Sequence, residues 1–165
     1  MKPAVSRFQA ALAALGLDRH VVELFVEART SQQAADAVGV SVGQIAKSLV
    51  FTVDGAPVMV IASGINRVDE RKLSKLAGGK VKRADADLVR KATGYAIGGV
   101  PPFAHDQEMP IWVDEDLLVH PLIYAAAGVP ECVFPLSPSE LVRVTKGRVA
   151  DVKEQGKGAG KGERP

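Results

Sequence analysis

Two features of the sequence bring together residue types that can bind and polarise a carbonyl group. The first is Lys47, which directly precedes the apolar run 48–51. The second is the segment 94–102, where a Gly-Gly pair precedes a Pro-Pro pair. Glycine lets the backbone approach a ligand closely, whereas proline fixes φ and removes an amide donor, so the remaining N–H groups are few and rigidly directed. Such a loop can hold a carbonyl oxygen or an oxyanion.

Both features also have a purely structural interpretation. A Gly-Gly pair is typical of a tight connection between two elements. The aliphatic stem of Lys47 could lie on apolar surface while its ammonium group reaches solvent. Partial burial would lower the pKa of Lys47, because desolvation disfavours the charged form. Spacing alone favours the structural interpretation, so the chemical one needs independent support.

Other motifs that carry chemistry are absent or have a local explanation. The run Gly39-Val40-Ser41-Val42-Gly43 matches the G-x-S-x-G pattern of a hydrolase nucleophile, but that pattern requires a strand before the serine. Here a helix is predicted before it, and a helix end at Gly39 with an N-cap at Ser41 accounts for the same residues. A serine hydrolase using Ser41 is kept as an alternative. The three histidines lack zinc-site spacing, and no nucleotide-binding glycine motif occurs, so no metal ion and no cofactor are predicted.

The composition is that of one ordinary globular domain. The chain has 165 residues, of which 47% are hydrophobic and 24% are charged, which is sufficient for a substantial core. No apolar run approaches the roughly 20 residues of a membrane span, and the N-terminal residues lack the apolar region of a signal peptide. We therefore expect a cytoplasmic protein that does not contact a membrane. The predicted domain covers residues 1–152, and residues 153–165, which are poor in apolar side chains, are predicted to be a flexible tail.

Positive charge is concentrated in the middle of the chain. The net charge is only +2, but basic residues outnumber acidic ones between Arg67 and Lys91. Such a stretch can face phosphate groups. It can equally be a solvated helix face of mixed charge. The candidates for phosphate contact are Arg71, Lys72, Lys75, Lys82 and Arg83.

Periodicity and capping residues predict a mixture of helices and strands. Helices are predicted over 8–15, 32–38, 69–77, 85–92 and 138–144. A further turn capped by Ser41 is expected to run through Ala46, with Lys47 at its exit. Strands are predicted over 21–26, 48–53, 57–62, 111–113, 122–126 and 132–136. The second and third of these are expected to form a central hairpin, with Asp54-Gly55-Ala56 as its turn.

Several of these stretches together resemble the YbaK/EbsC family. They are residues 44–51 around Lys47, residues 93–95 and 98–102 of the Gly/Pro segment, and residues 127–130, followed by 136–138 and Leu141. The family comprises aminoacyl-tRNA deacylases related to the editing domain of bacterial prolyl-tRNA synthetase. The resemblance spans most of the chain. It implies a single α/β domain of mixed α+β type, with a barrel-like mixed β-sheet flanked by helices. It also implies hydrolysis of the ester between a wrong amino acid and a tRNA 3′ end.

The resemblance also implies roles for individual residues. Lys47 matches the family's lysine, which is expected to engage the 3′-terminal adenosine region as the catalytic residue. The expected substrate-binding residues are Gly98, Gly99, Val100, Pro101, Ser48 and Tyr95. Water would attack the ester carbonyl with help from the 2′-hydroxyl of the substrate, so that positioning supplies most of the acceleration and no side-chain nucleophile is needed.

Substrate and partners follow from the resemblance less specifically. The expected partner is a mischarged tRNA, and a synthetase such as prolyl-tRNA synthetase is a candidate second partner. Val133 occupies the position at which members that remove cysteine tend to carry an acidic residue, so removal of cysteine is not implied. A small apolar pocket would favour alanine, 2-aminobutyrate, serine or threonine, although one methylene changes binding by only about 1–3 kcal/mol. The alternative function is a module that binds aminoacyl-tRNA without hydrolysing it.

Overall fold

The computed structural model describes residues 2–25 and 28–155. Within these residues the chain forms one mixed sheet of eight strands flanked by five α-helices, which confirms the predicted fold class. The helices are α1 Pro3–Ala14, α2 Ser31–Val38, α3 Glu70–Ala77, α4 Ala86–Thr93 and α5 Pro138–Thr145. The strands are β1 Val22–Glu23, β2 Ile45–Val53, β3 Ala56–Ser63, β4 Val81–Arg83, β5 Ile111–Asp114, β6 Ile123–Ala126, β7 Cys132–Leu136 and β8 Arg148–Ala150.

Strand β2 lies at the centre of the sheet and has three partners. The strand order is β1-β7-β6-β2-β3-β5-β8, with β4 also paired to β2. Strand β3 is antiparallel to β2 along one whole edge. On the other edge, β6 is parallel to the first two residues of β2, and β4 is antiparallel to the last three. That second edge is therefore shared between two strands that come from distant parts of the sequence.

The predicted hairpin between β2 and β3 is confirmed, as is its central position. Asp54 and Gly55 form its two-residue turn with φ values of 50° and 86°. Both residues have a left-handed backbone conformation, which is required by the type of turn that best matches the twist of two antiparallel strands. Asp54 also accepts a hydrogen bond from the N–H of Lys80 at 2.9 Å, which attaches the turn to the segment before β4.

The helices begin and end largely where their capping residues predict. The Thr30 hydroxyl accepts from the N–H of Gln33 at 3.1 Å, while the Gln33 side chain accepts from the N–H of Thr30 at 3.2 Å. Ser137 and Glu140 make the same reciprocal pair before α5. Each pair satisfies two N–H groups that a helix start would otherwise leave free. Helix α1 begins earlier than predicted because Pro3 is favourable at a first helical position.

Two predictions about elements were wrong, and two strands were missed. The turn capped by Ser41 ends at Gln44, so Lys47 is the third residue of β2 and does not follow a helical turn. The strand predicted over 21–26 is observed only at Val22–Glu23, and residue 26 lies outside the described residues. Strands β4 and β8 were not predicted, because each has only three residues, which is too short for a periodic signal.

The two faces of β2 pack into different apolar clusters. Ala46 and Val50 belong to the main cluster, which includes Phe8 and Phe134. Phe51 lies on the other face, in a cluster with Leu73, Trp112 and their neighbours. Because apolar side chains are buried on both faces, β2 is held rigidly and can position groups precisely. None of the helices in the described part of the chain combines the length and hydropathy needed to cross a bilayer.

The segment after β8 is attached to the domain at its start. The N–H of Glu154 donates to the C=O of Arg67 at 2.8 Å. The ammonium group of Lys153 donates to Asp116, also at 2.8 Å. Residues 156–165 lie outside the described residues, so the domain boundary at residue 152 and the flexible tail stay predictions.

Candidate active site

The edge of β2 shared by β6 and β4 has a gap in its middle. Pairing with β6 ends at Ala46, opposite Ala125, and pairing with β4 begins at Phe51, opposite Arg83. The residues of β2 are more exposed at this gap than on either side of it. Residues 47–49 are half-buried, whereas residues 45–46 and 50–51 are buried. The gap therefore opens the middle of a rigid central strand to a ligand.

Ser48 directs its backbone into this gap. The C=O of Ile45 accepts from Gly64 on the β3 side at 2.8 Å, whereas the C=O of Val50 accepts from Ala84 on the β4 side at 3.2 Å. Backbone groups of successive strand residues point to alternate edges, so Ser48 shares the edge of Val50. Its N–H and C=O thus lie where the described chain supplies no pairing strand.

A pocket of about 460 Å³ lies at the gap. Its walls are mainly small and apolar, and the described residues that form them include no aspartate or glutamate. They come from β2, β6, β7, the start of α2, the Gly/Pro segment and the turn between β6 and β7. The lining residues are Ala28, Arg29, Thr30, Ser31, Ala34, Ile45, Ala46, Lys47, Ser48, Leu49, Ile97, Gly98, Val100, Tyr124, Ala125, Ala126, Pro130 and Val133.

Lys47 lies in the wall of this pocket and is half-buried. Burial lowers its pKa, as expected from the sequence, and the positive charges of Arg67 and Arg83 lower it further, while Asp114 acts in the opposite direction. The ammonium group is therefore incompletely hydrated. A cation in such a place interacts more strongly with an anionic or polar ligand than a fully solvated one does.

The Gly/Pro segment presents only part of its backbone to the pocket. Gly98 and Val100 line it, but Gly99 is turned toward the connection between β6 and β7. The N–H of Gly99 donates to Ala96, and its C=O accepts from Gly128, both at 3.0 Å. A Cβ on Gly99 would lie 2.6 Å from the Cα of Val129, so only glycine fits this contact. Gly99 therefore fixes the position of the loop and does not line the pocket.

Two more of the predicted substrate-binding residues lie outside the lining of the pocket. The C=O of Pro101 accepts a hydrogen bond from Nε2 of His105 at 2.7 Å, and burial lowers the pKa of that histidine. Tyr95 is only 1% exposed, and the guanidinium of Arg7 lies 4.6 Å from its ring centroid. Burial raises the pKa of Tyr95. Of the six predicted residues, the pocket brings together Ser48, Gly98 and Val100.

The five predicted phosphate-binding residues are not equivalent. Four are exposed: Arg71, Lys75, Lys82 and Arg83. Lys72 is partly buried, and its ammonium group donates to the Asp151 carboxylate and to the C=O of Lys153, both at 2.8 Å. Lys72 therefore connects α3 to the segment after β8. Arg83 is paired opposite Phe51 in the sheet, and its charge lowers the pKa of Lys47. Of the five predicted phosphate-binding residues, Arg83 therefore lies close enough to the pocket to act on Lys47.

Ser41 does not have the surroundings of a hydrolase nucleophile. Helix α2 precedes it, where the nucleophile motif requires a strand. Its N–H and hydroxyl both donate to the side-chain oxygen of Gln44 at 3.1 Å. Ser41 thus occupies the N-cap position of the short 3₁₀ helix Val42–Gln44, the position that was predicted for it.

Asp114 is a buried charge near the site that the sequence analysis did not single out. Its carboxylate accepts from the N–H of Ser63 at 3.0 Å and from the amide of Asn66 at 2.7 Å. It favours the charged form of Lys47. The one signal in the sequence was an acidic residue directly after the apolar run 111–113. Tyr124 and Thr30 had no such signal, because strand pairing and the docking of α2 bring them to the pocket.

No group of three or more His, Cys, Asp or Glu side chains suited to a metal ion occurs in residues 2–25 and 28–155. The site described above consists of one lysine, several hydroxyl groups and backbone N–H and C=O groups. These groups can position and polarise a substrate, and none of them is arranged as a nucleophile with a general base.

Comparison with known proteins identifies the family. Residues 26–144 match the model of the aminoacyl-tRNA editing domain. YwhH of Bacillus subtilis (strain 168) is 35% identical over 127 residues, which cover 75% of this chain and 80% of YwhH. EbsC of Enterococcus faecalis (strain ATCC 700802 / V583), described as a candidate Cys-tRNA(Pro)/Cys-tRNA(Cys) deacylase, is 26% identical over 125 residues, 74% of this chain and 76% of EbsC. The crystal structure of a candidate trans-editing enzyme for prolyl-tRNA synthetase superimposes with a TM-score of 0.90 and 44% identity, over 94% of this chain and 99% of that one. With its lysine, its glycine loop and its sheet, this chain belongs to the aminoacyl-tRNA editing domain family.

Proposed function

We propose that this protein hydrolyses the ester bond of a mischarged tRNA, with tRNA-Pro carrying a small wrong amino acid as the first candidate. The observation that carries the proposal is that the half-buried Lys47 and the backbone of Gly98 and Val100 line one pocket at a gap in a central strand. Membership of the editing-domain family supports the proposal, as do the descriptions of EbsC and of the structural relative.

The proposed reaction depends on positioning. Lys47 orients the terminal nucleotide, and backbone N–H groups of the loop hold the ester carbonyl oxygen as it gains negative charge. Water, held by the 2′-hydroxyl of the terminal ribose, attacks the carbonyl carbon. The bond from that carbon to the 3′ oxygen breaks, and the 3′ oxygen takes the proton from the water. The products are a free amino acid and an intact tRNA, and the acceleration comes from holding these groups at reacting distance.

The pocket walls support a small amino acid as the substrate. Ala34, Ala46, Ala125 and Ala126 keep the walls close to the backbone. We expect contact with these walls to disfavour larger amino acid side chains. Val133 also lines the pocket, at the position where an acidic residue is expected in members that remove cysteine. The proposal therefore favours alanine, 2-aminobutyrate, serine or threonine over cysteine.

The proposed macromolecular partner is the tRNA, with a synthetase such as prolyl-tRNA synthetase as a second candidate. The four exposed residues of the predicted phosphate-binding set would neutralise tRNA phosphates, and Arg83 would continue this positive surface into the pocket. The cytoplasmic location stays a prediction.

A deacylation panel tests the proposed function. Purified protein is mixed with tRNA-Pro and a second tRNA, each charged with alanine, cysteine, serine, threonine or 2-aminobutyrate. We expect rapid loss of at least one small amino acid ester, and a rate lower by about 100-fold or more for Lys47→Ala because an electrostatic interaction with the substrate is removed. Lys91→Ala, which removes an exposed lysine outside the pocket, is the matched control and should keep the parent rate.

Two results would contradict the proposal. If Lys47→Ala hydrolyses the ester as fast as the parent protein, Lys47 has no role in the reaction. If every ester survives while the charged tRNA binds, the protein is the non-hydrolytic binding module, and repeating the panel with prolyl-tRNA synthetase present separates that outcome from a requirement for the synthetase.

A further inference from the structure

The hydroxyl of Ser48 is a buried polar group that the protein leaves without a partner. Its Oγ is inaccessible to solvent and accepts or donates no hydrogen bond within the described part of the chain. Buried hydroxyl groups in folded proteins are almost always hydrogen-bonded, because leaving one unpaired costs free energy. Since Ser48 also lines the pocket, rotation about its Cα–Cβ bond to another staggered rotamer would turn the hydroxyl toward a ligand, which is expected to supply the missing partner.

The position of Ser48 in β2 decides which part of the ligand it meets. Side chains of adjacent strand residues point to opposite faces, so Ser48 and Lys47 point to opposite faces of the sheet. Ser48 shares its face with Ala46 and Val50, which belong to the main apolar cluster together with Ala125. If Lys47 holds the terminal nucleotide, as the proposed function requires, the Ser48 side lies toward the amino acid.

The surroundings of Ser48 select a neutral group as its partner. No acidic side chain lines the pocket among the described residues, and Lys47 adds positive charge, so a positively charged substrate side chain would be poorly stabilised beside Ser48. A hydroxyl group can both donate to and accept from Ser48, whereas a thiol is a weak donor and a weak acceptor. A methyl group would leave the Ser48 hydroxyl unpaired and would keep water away from it.

We infer that Ser48 makes this site selective for wrong amino acids that carry a side-chain hydroxyl, serine and threonine, over alanine and 2-aminobutyrate. The inference rests on the proposed function and adds the substrate class. The expected selectivity is strong because of the kind of site. A site that hydrogen-bonds a substrate hydroxyl rejects an analogue without one far more strongly than an apolar pocket rejects an analogue with an extra group.

Two pairs of substrates test the inference, since each pair differs by one hydroxyl: serine against alanine, and threonine against 2-aminobutyrate. We expect the parent protein to prefer the hydroxyl member by about 10-fold or more in kcat/KM. Ser48→Ala should reduce the preference to about 2-fold or less, because seryl and threonyl esters lose a hydrogen bond while the alanyl ester no longer leaves a site hydroxyl unpaired. Thr52→Ala is the matched control, because Thr52 lies on the same face of β2 outside the pocket, and it should keep the full preference.

The outcomes separate this inference from the proposed function. Equal rates for both members of each pair, or an equal loss for both in Ser48→Ala, would overturn the inference and leave hydrolysis standing. Binding of tRNA analogues with a 3′-amide-linked serine or alanine reads the same preference without hydrolysis, so a preference in binding with no ester cleavage would overturn only the proposed function. If Ser48→Ala does not fold, Ser48→Cys provides the second variant, and an unchanged preference in it would count against the inference.

Discussion

The close approach of Gly99 to the connection from β6 to β7 offers a sharp test of how the loop is positioned. Alanine at residue 99 would place its Cβ 2.6 Å from Val129 Cα and 2.7 Å from the C=O oxygen of Gly128. Ordinary van der Waals distances begin at 3.4 Å, so the loop must move by about 0.8 Å. Both neighbours are backbone atoms, which cannot rotate away as a side chain could. The φ of Gly99 is not in the left-handed region, so the substitution tests space alone.

The expected magnitude follows from these distances. Overpacking of this kind costs about 1–3 kcal/mol, and breaking the 3.0 Å bond from Gly128 N–H to Gly99 C=O adds about 1 kcal/mol. We therefore expect Gly99→Ala to lower the free energy of unfolding by about 2–4 kcal/mol, or Tm by about 5–15 °C. A displacement of about 1 Å in the neighbouring Gly98 should reduce the hydrolysis rate about 100-fold.

Single-turnover deacylation and thermal unfolding measure the two effects. Gly16→Ala is the control, because Gly16 has a φ of 72° and no atom within 4 Å of an added Cβ. Gly16→Ala should lower the free energy of unfolding by about 1 kcal/mol, because alanine is disfavoured in a left-handed backbone conformation. It should keep the parent hydrolysis rate. If Gly99→Ala matched this control in both rate and Tm, the reasoning that the β6–β7 connection positions the loop would be refuted.

Three further predictions use the charges around the site. Lys47→Met should slow hydrolysis by about 100-fold or more yet raise Tm at pH 7, because burial opposes the charge of Lys47 and lowers its pKa below 10.5. The difference in stability between this variant and the parent should shrink toward alkaline pH, where folded Lys47 loses its proton, and a constant difference would contradict this prediction. Burial holds the pKa of folded His105 below 6.5, so its contribution to stability should be present above pH 6.5 and disappear as the pH falls through the folded pKa. The free energy of unfolding in urea should therefore decline less steeply with falling pH in His105→Gln than in the parent. Equal declines would contradict this prediction. Simultaneous alanine substitution of the exposed basic residues should make the slope of log tRNA affinity against log salt concentration shallower by about 0.7–0.9 for each phosphate that is no longer neutralised. An unchanged slope would exclude phosphate neutralisation by these residues. Lys72→Ala, by contrast, should chiefly lower Tm. The substituted residues are Arg71, Lys75, Lys82 and Arg83.

Elements specified by neighbouring residues could be predicted well. The reciprocal caps at Thr30 and Ser137 and the left-handed turn at Asp54-Gly55 depend on interactions within a few residues, so their sequence patterns suffice. Lys47 and the Gly/Pro segment stood out for the same reason, because residue type and spacing carry their chemistry. Strands β4 and β8 could not be predicted, since their pairing to β2 and β5 supplies the stability that their three residues lack.

The sequence by itself determined the family, the lysine, the glycine loop and the mixed fold class. Only the tertiary structure decided that Gly98 faces the pocket while Gly99 supports the loop, and that Lys72 holds Asp151. It also decided that Ser48 lies at a gap between two partner strands. The physical reason is that residue patterns set the face to which a side chain points, whereas the pairing of distant segments sets which backbone edge remains open.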